Sequence, residues 1–77
     1  MVLNGKGKEY YSNGNILYEG DYINDKVEGN GKYIDENGEC YIGQFKNGLR
    51  NGKGIFFSSD GNIKYEGNWI KGEFVDK

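Results

Sequence analysis

The chain has no proline and no histidine among its 77 residues, and only one cysteine. Without proline, nothing breaks an extended segment by removing a backbone donor. Without histidine, Cys40 has no imidazole to serve as its base, so it reads as a plain strand residue. A lone cysteine forms no intrachain disulfide, which fits a reducing compartment. No apolar run approaches the roughly 18 residues of a membrane helix, and Met1-Val2-Leu3-Asn4 is not a signal peptide. Neither sign of charge dominates: ten Lys and Arg against twelve Asp and Glu leave a net charge of −2. That balance gives no general reason to expect nucleic acid or an anionic membrane. Hydrophobic residues are scarce at 35%, too few for a compact two-layer core, whereas aromatics are plentiful at 16%.

Those aromatics recur in phase. Tyr18-Glu19-Gly20-Asp21-Tyr22 is followed after 23 residues by Tyr41-Ile42-Gly43-Gln44-Phe45, and after 24 more by Tyr65-Glu66-Gly67-Asn68-Trp69. A Gly-x-Gly pair begins eleven residues after the first aromatic, as Gly29/Gly31 and Gly52/Gly54. A further glycine follows seven residues later, as Gly38 and Gly61. The beginning of the chain supplies only the back half of this order, Gly5/Gly7 and Gly14. A period of this size marks a protein of small stacked units. The chain divides into a half unit over 5–17, full units over 18–40 and 41–64, and a half unit over 65–77, together one domain spanning 1–77. Half units at both ends, on a chain this short, lead us to expect either a fragment of a longer protein or an oligomer.

The pattern resembles the MORN (membrane occupation and recognition nexus) repeat, whose unit runs roughly YxGxxxxGxxxGxGxxxxxxG. The resemblance covers about Gly5 to Gly72. It departs at Asp25, where Gly48 and Gly72 stand later, and at Glu9, where Tyr33 and Phe56 stand. Glu9-Tyr10-Tyr11-Ser12-Asn13-Gly14 looks like a variant of the repeat seen in bacterial proteins, which leaves the organism open.

The fold expected is all-β: a single-layer antiparallel meander of hairpins, a curved and open sheet of about six strands. Strands are expected over Gly5–Ser12, Ile16–Ile23, Asn30–Asp35, Glu39–Lys46, Lys53–Ser58 and Asn62–Ile70, with a stub at Glu73–Val75 that begins a seventh. Asn13-Gly14, Asn37-Gly38 and Asp60-Gly61 are expected to form tight turns with positive φ at both central residues. Asn24–Gly29 and Asn47–Gly52 read as longer reversals. Alternation gathers the aromatics and strand glycines on one face. A ring from a neighbouring strand lying over each glycine would explain why glycine is tolerated there.

That face is either the minimal core or a binding groove for a helical or extended segment. Tyr18, Tyr41 and Tyr65 are assigned to the core, and Tyr22, Tyr33, Phe45, Phe56 and Trp69 to the candidate partner-binding surface. Lys26, Lys46, Arg50, Lys53 and Lys71 fall along one edge. The bland reading is solvated turn charge. The resemblance implies a second one, contact of Lys46, Arg50, Lys53 and Lys71 with phosphoinositide headgroups. Gly5-Lys6-Gly7 and Gly52-Lys53-Gly54 lack the GK[ST] ending and following helix of a phosphate loop. Asp35-Glu36-Asn37-Gly38 is too short for a calcium loop and is explained as a turn. No catalytic residue, metal or cofactor is expected.

The leading functional expectation is a non-catalytic scaffold that binds a protein segment or a second copy of itself through its aromatic face. The alternatives are a peripheral phosphoinositide-binding module, or the targeting part of an enzyme such as a lipid kinase or lysine methyltransferase. The expected location is cytoplasmic, with a peripheral position at a membrane or the cytoskeleton as the alternative.

Overall fold

The computed structural model describes residues 4–77. The opening stretch read above as not a signal peptide therefore lies, from Met1 to Leu3, outside the described residues. Seven strands follow one another: β1 (Gly5–Tyr10), β2 (Ile16–Ile23), β3 (Lys26–Ile34), β4 (Cys40–Lys46), β5 (Leu49–Phe57), β6 (Ile63–Ile70) and β7 (Glu73–Asp76). All pair antiparallel in chain order, as one open sheet with β1 and β7 at its edges. The expected meander is present, and the seventh stub is a paired strand. The molecule measures 37 × 27 × 14 Å, and its short dimension is that of one sheet with its side chains.

The two kinds of reversal are the opposite of those expected. The tight turns are Asn24-Asp25, Asn47-Gly48 and Lys71-Gly72, with both central residues at positive φ in each. They close two-residue loops between paired Ile23 and Lys26, Lys46 and Leu49, and Ile70 and Glu73. This is the chemistry of a type I′ turn, whose twist matches the flanking strands. As a result β3 and β5 begin four residues earlier than expected. Asn13, Asn37 and Asp60 do not adopt positive φ; only the glycine after each does. There the amide of Gly38 donates to Asp35 O at 3.0 Å and that of Asp35 to Glu39 O at 2.9 Å. Equivalent bonds close Tyr11–Asn15 and Ser58–Asn62. These are three-residue loops, in which a turn is completed by a left-handed glycine.

A row of glycines crosses the sheet in register: Gly7, Gly20, Gly31, Gly43, Gly54 and Gly67 pair each with the next. The Tyr18 ring lies over the gap at Gly31, where an added Cβ would stand 2.6 Å from its Cε1 and Cζ. Tyr41 fills the gap at Gly54 even more closely. The hydroxyls of Tyr18 and Tyr41 donate to Asp21 O at 3.0 Å and Gln44 O at 2.9 Å. Each ring therefore lies over the glycine row and ends on a satisfied hydrogen bond.

Beside the glycine row the ladder breaks. Gly20 pairs with Gly31 but Tyr22 with Val27, and Gly43 pairs with Gly54 but Phe45 with Arg50. The extra residues of β3 and β5 bulge away from the preceding strand, which would orphan an amide. Side chains take over: Asp21 Oδ2 accepts the Asn30 amide at 3.0 Å, and Gln44 Oε1 the Lys53 amide at 2.7 Å. Each bulge steers its residue, Val27 or Arg50, opposite the second aromatic of the unit.

Five residues make the buried core: Tyr18, Tyr22, Tyr41, Phe45 and Trp69. They interlock edge to face, with Tyr18 between Tyr22 and Phe45 and Tyr41 between Phe45 and Trp69, at centroid separations of 5.1–5.4 Å. The first aromatic of each full unit is thus roofed by the second aromatic of the next. Each such ring removed from water stabilises the fold by on the order of 2 kcal/mol, and each edge-to-face pair adds about 0.5–1.5 kcal/mol.

Candidate partner-binding face

The aromatic face separates into a buried row and an accessible row. Tyr22, Phe45 and Trp69 are only 4%, 8% and 3% exposed, because they roof the tyrosines beside them. Tyr33 and Phe56 stand in the paired row that runs Tyr18, Tyr33, Tyr41, Phe56, Tyr65 across the sheet. Tyr33 is exposed and Phe56 half-buried. Tyr65, expected in the core, is 44% exposed. In place of a roofing ring from a further unit, it has Phe74 beside it at 5.0 Å and Phe56 stacked on it at 6.2 Å. Among the described residues, no second aromatic of a following unit stands over it.

Between the two rows lies a cleft of about 440 Å³, lined by Tyr33, Phe45, Leu49, Arg50 and Phe56, with Asp35 at one end. Arg50 is the cation among its lining residues, while Lys64, paired with Glu39, lies 5.7 Å from the Phe56 ring centroid. The guanidinium sits over Trp69 at 4.7 Å from the ring centroid and 5.8 Å from those of Tyr41 and Phe56. Its Nη2 donates to Gly72 O at 2.6 Å, while the Gly72 amide donates to Arg50 O at 2.8 Å. Trp69 is anchored from below by its indole N–H on Gly54 O at 3.1 Å.

The basic residues do not converge. Lys46 and Lys71 share a hollow of about 320 Å³ with Leu49 at the edge of tight turns. Lys53 lines a different hollow with Ile42 and Ile55, and Arg50 lies in the aromatic cleft. Lys26 is exposed at the start of β3.

Titration follows from burial. Burial pushes the Tyr18 hydroxyl up to about 12, with Asp21 adding repulsion. It also raises Tyr41, against the pull of Arg50, and Tyr22, which Glu9 raises further. Burial likewise raises the half-buried Cys40 thiol, which favours its protonated form. Lys6, at 2.5 Å, and the Asn30 amide hold the Asp21 carboxyl below its ordinary value. Among the described residues no group of three His, Cys, Asp or Glu side chains could hold a metal ion, and no helix is long and apolar enough to cross a membrane. Asp35 Oδ1 accepts the Asn37 and Glu39 amides, so it belongs to its turn.

Two sets of residues escaped the sequence reading. One is the pair of bulge acceptors, Asp21 and Gln44. The other is Asn4, Glu28 and Asn51, whose side-chain oxygens receive the amides of Asn24, Asn47 and Lys71 at the tight turns. Both sets recur with the period of the aromatics. A polar acceptor directly after Gly20 and Gly43, and another directly before Gly5, Gly29 and Gly52, was the available signal.

A single sheet of hairpins, with each unit roofing the one before, defines a β-repeat protein of the solenoid kind. The MORN repeat profile matches residues 2–16, 18–40, 41–63 and 65–75, four consecutive repeats. The chain belongs to the MORN repeat family. Comparison with curated proteins gave no match. Repeats of this family are generally non-catalytic modules, commonly involved in protein or membrane interactions and often membrane-associated.

Proposed function

We propose that this chain is a non-catalytic scaffold module that binds a segment of another polypeptide, or a second copy of itself, through its aromatic face. The observation behind this reading is the cleft of Tyr33, Leu49, Arg50 and Phe56, which opens on a face that no second layer among the described residues covers. A one-sided apolar surface beside a close-packed ladder is the usual form of an interaction site, and Tyr and Arg are residues that carry binding energy. Tyr22, Phe45 and Trp69 support the surface from beneath, so the contact falls to Tyr33 and Phe56. Selection of displayed random peptides on the intact chain, followed by the double variant Tyr33→Ser/Phe56→Ser, tests this. Unchanged affinity in a double variant that unfolds at the wild-type temperature sinks the reading. Sedimentation velocity over a range of concentrations tests the second-copy form.

A peripheral phosphoinositide reading draws on one observation, the meeting of Lys46 and Lys71 at a single edge. It predicts co-sedimentation with phosphoinositide vesicles that falls steeply with salt and disappears in Lys46→Glu/Lys71→Glu. The same scaffold role suits the targeting part of a larger enzyme. Either role is consistent with a cytoplasmic protein.

A further inference from the structure

Across the tight turns, the residue opposite the second aromatic is Val27 against Tyr22, Arg50 against Phe45 and Phe74 against Trp69. Val27 and Phe74 pack on the aromatic core as apolar covers. Arg50 is the one charged residue in this row, at a position where the neighbouring units use hydrocarbon. A local break in an otherwise consistent pattern is where function is expected to show.

The environment of Arg50 is unusual in a second way. The ion pairs among the described residues are Lys6–Asp21, Lys8–Glu19 and Lys64–Glu39, so no carboxylate among them pairs with Arg50. Of the five N–H donors on a guanidinium, one reaches Gly72 O. The guanidinium carbon lies 4.7 Å from the Trp69 ring centroid, and Arg50 lines the cleft together with Leu49, itself 47% exposed.

We infer that the Arg50 cleft receives a carboxylate side chain of a partner polypeptide, flanked in that partner by large apolar residues. This rests on the scaffold reading above and gives the partner's chemistry. Carboxylates meet the fork of an arginine with two parallel hydrogen bonds, and apolar walls strengthen such a bond by excluding water. A phosphate group, near −2 in charge, is usually met by several cations, and here Lys46 and Lys71 lie in a separate hollow. Asp35 also lines the cleft, but its Oδ1 is taken up by the Asn37 and Glu39 amides of its own turn. A partner therefore carries its acid at Arg50, with large apolar side chains beside it on Tyr33 and Phe56.

The test uses the intact chain and random peptides displayed for selection, then synthetic copies of the tightest ones. The expected peptides share one Asp or Glu flanked by large apolar residues. Arg50→Met, which keeps the packing on Trp69, should weaken them at least tenfold. Arg50→Lys should lie between, and changing the peptide acid to its amide should cost the same factor as Arg50→Met. Both changes together should cost no more than either alone, because they remove the same contact. Thermal unfolding and near-ultraviolet dichroism confirm that each variant is folded. Peptides without an acid, or bound equally by Arg50→Met yet lost in Tyr33→Ser/Phe56→Ser, overturn the carboxylate receptor and leave the scaffold reading standing. Peptides indifferent to both sets of changes, or no enrichment at all, overturn both.

Discussion

The ring of Tyr41 occupies the space that a side chain on Gly54 would need. Its Oη, Cζ and Cε1 all stand closer to that glycine than any real Cβ allows. Tyr41 is fully buried, and its hydroxyl donates to Gln44 O. Gly54→Ala must therefore push the ring out and break that bond, at a cost of about 3 kcal/mol, the upper range for overpacking. Gly31→Ala should behave alike through Tyr18. Gly48→Ala is the contrast, since nothing stands within 4 Å of it but its φ is +81°. It should cost about 1 kcal/mol from backbone strain alone. Chemical denaturation of the three variants checks the order, and a Gly54→Ala protein as stable as Gly48→Ala would show that the ring is not held.

Tyr18 and Tyr22 predict opposite answers to the same substitution. The Tyr22 hydroxyl is buried and makes no hydrogen bond of ordinary geometry, although the Glu9 carboxylate lies close enough to raise its pKa. An unmet buried hydroxyl costs about 1–3 kcal/mol, so Tyr22→Phe should raise the midpoint of thermal unfolding. Tyr18→Phe removes the bond to Asp21 O and should lower it, by about 4–8 °C for a loss near 1 kcal/mol. Equal shifts of one sign would contradict the assignment of partners.

Alkali should unfold the chain in a defined window. Burial lifts Tyr18 to about 12, and burial together with the nearby Tyr33 hydroxyl lifts Tyr11, which donates to Ile34 O, to about 12, from an ordinary 10.0. A raised pKa means that the fold prefers the protonated phenol. The stability this supplies is complete below pH 10.0 and is lost as pH climbs through about 12. Part of the tyrosinate absorbance should therefore rise together with the loss of circular dichroism over that range. Free ionisation of all tyrosines near pH 10.0, with the fold intact, would rule this out.

The parts legible in the sequence were those that repeat as residue type. Period, strand order, the single layer and the glycine row all follow from aromatics and glycines in phase. Turn geometry was misread because Asn-Gly appears at both kinds of reversal. Asn47-Gly48 is a two-residue turn, whereas Asn37-Gly38 completes a three-residue one, and only the strand register separates them. Gly29 and Gly52 looked like turn residues but lie inside strands, at the bulges. The division of the aromatic face was hidden for a related reason. Alternation assigns a face, but roofing depends on which ring of the next unit arrives above, so Tyr22, Phe45 and Trp69 went inward and Tyr65 stayed outside.

The bulge at β5 supplies the last prediction. Gln44 is exposed, so its value to the fold is the bond from the Lys53 amide to its Oε1 at 2.7 Å. That amide has left the β4 ladder and has no other acceptor there. Gln44→Ala should cost about 1 kcal/mol, the net worth of one such bond. The loss should be local as well as global. In hydrogen exchange, the Lys53 amide should lose protection while the Ile55 amide, back in the ladder, keeps it. Gln44→Asp, which places at this site the acceptor that Asp21 presents to Asn30 at 3.0 Å, should restore part of the protection. If Lys53 exchanges at the wild-type rate in Gln44→Ala, the side chain is not what satisfies the bulge, and the account of how β5 turns Arg50 toward the aromatic face fails with it.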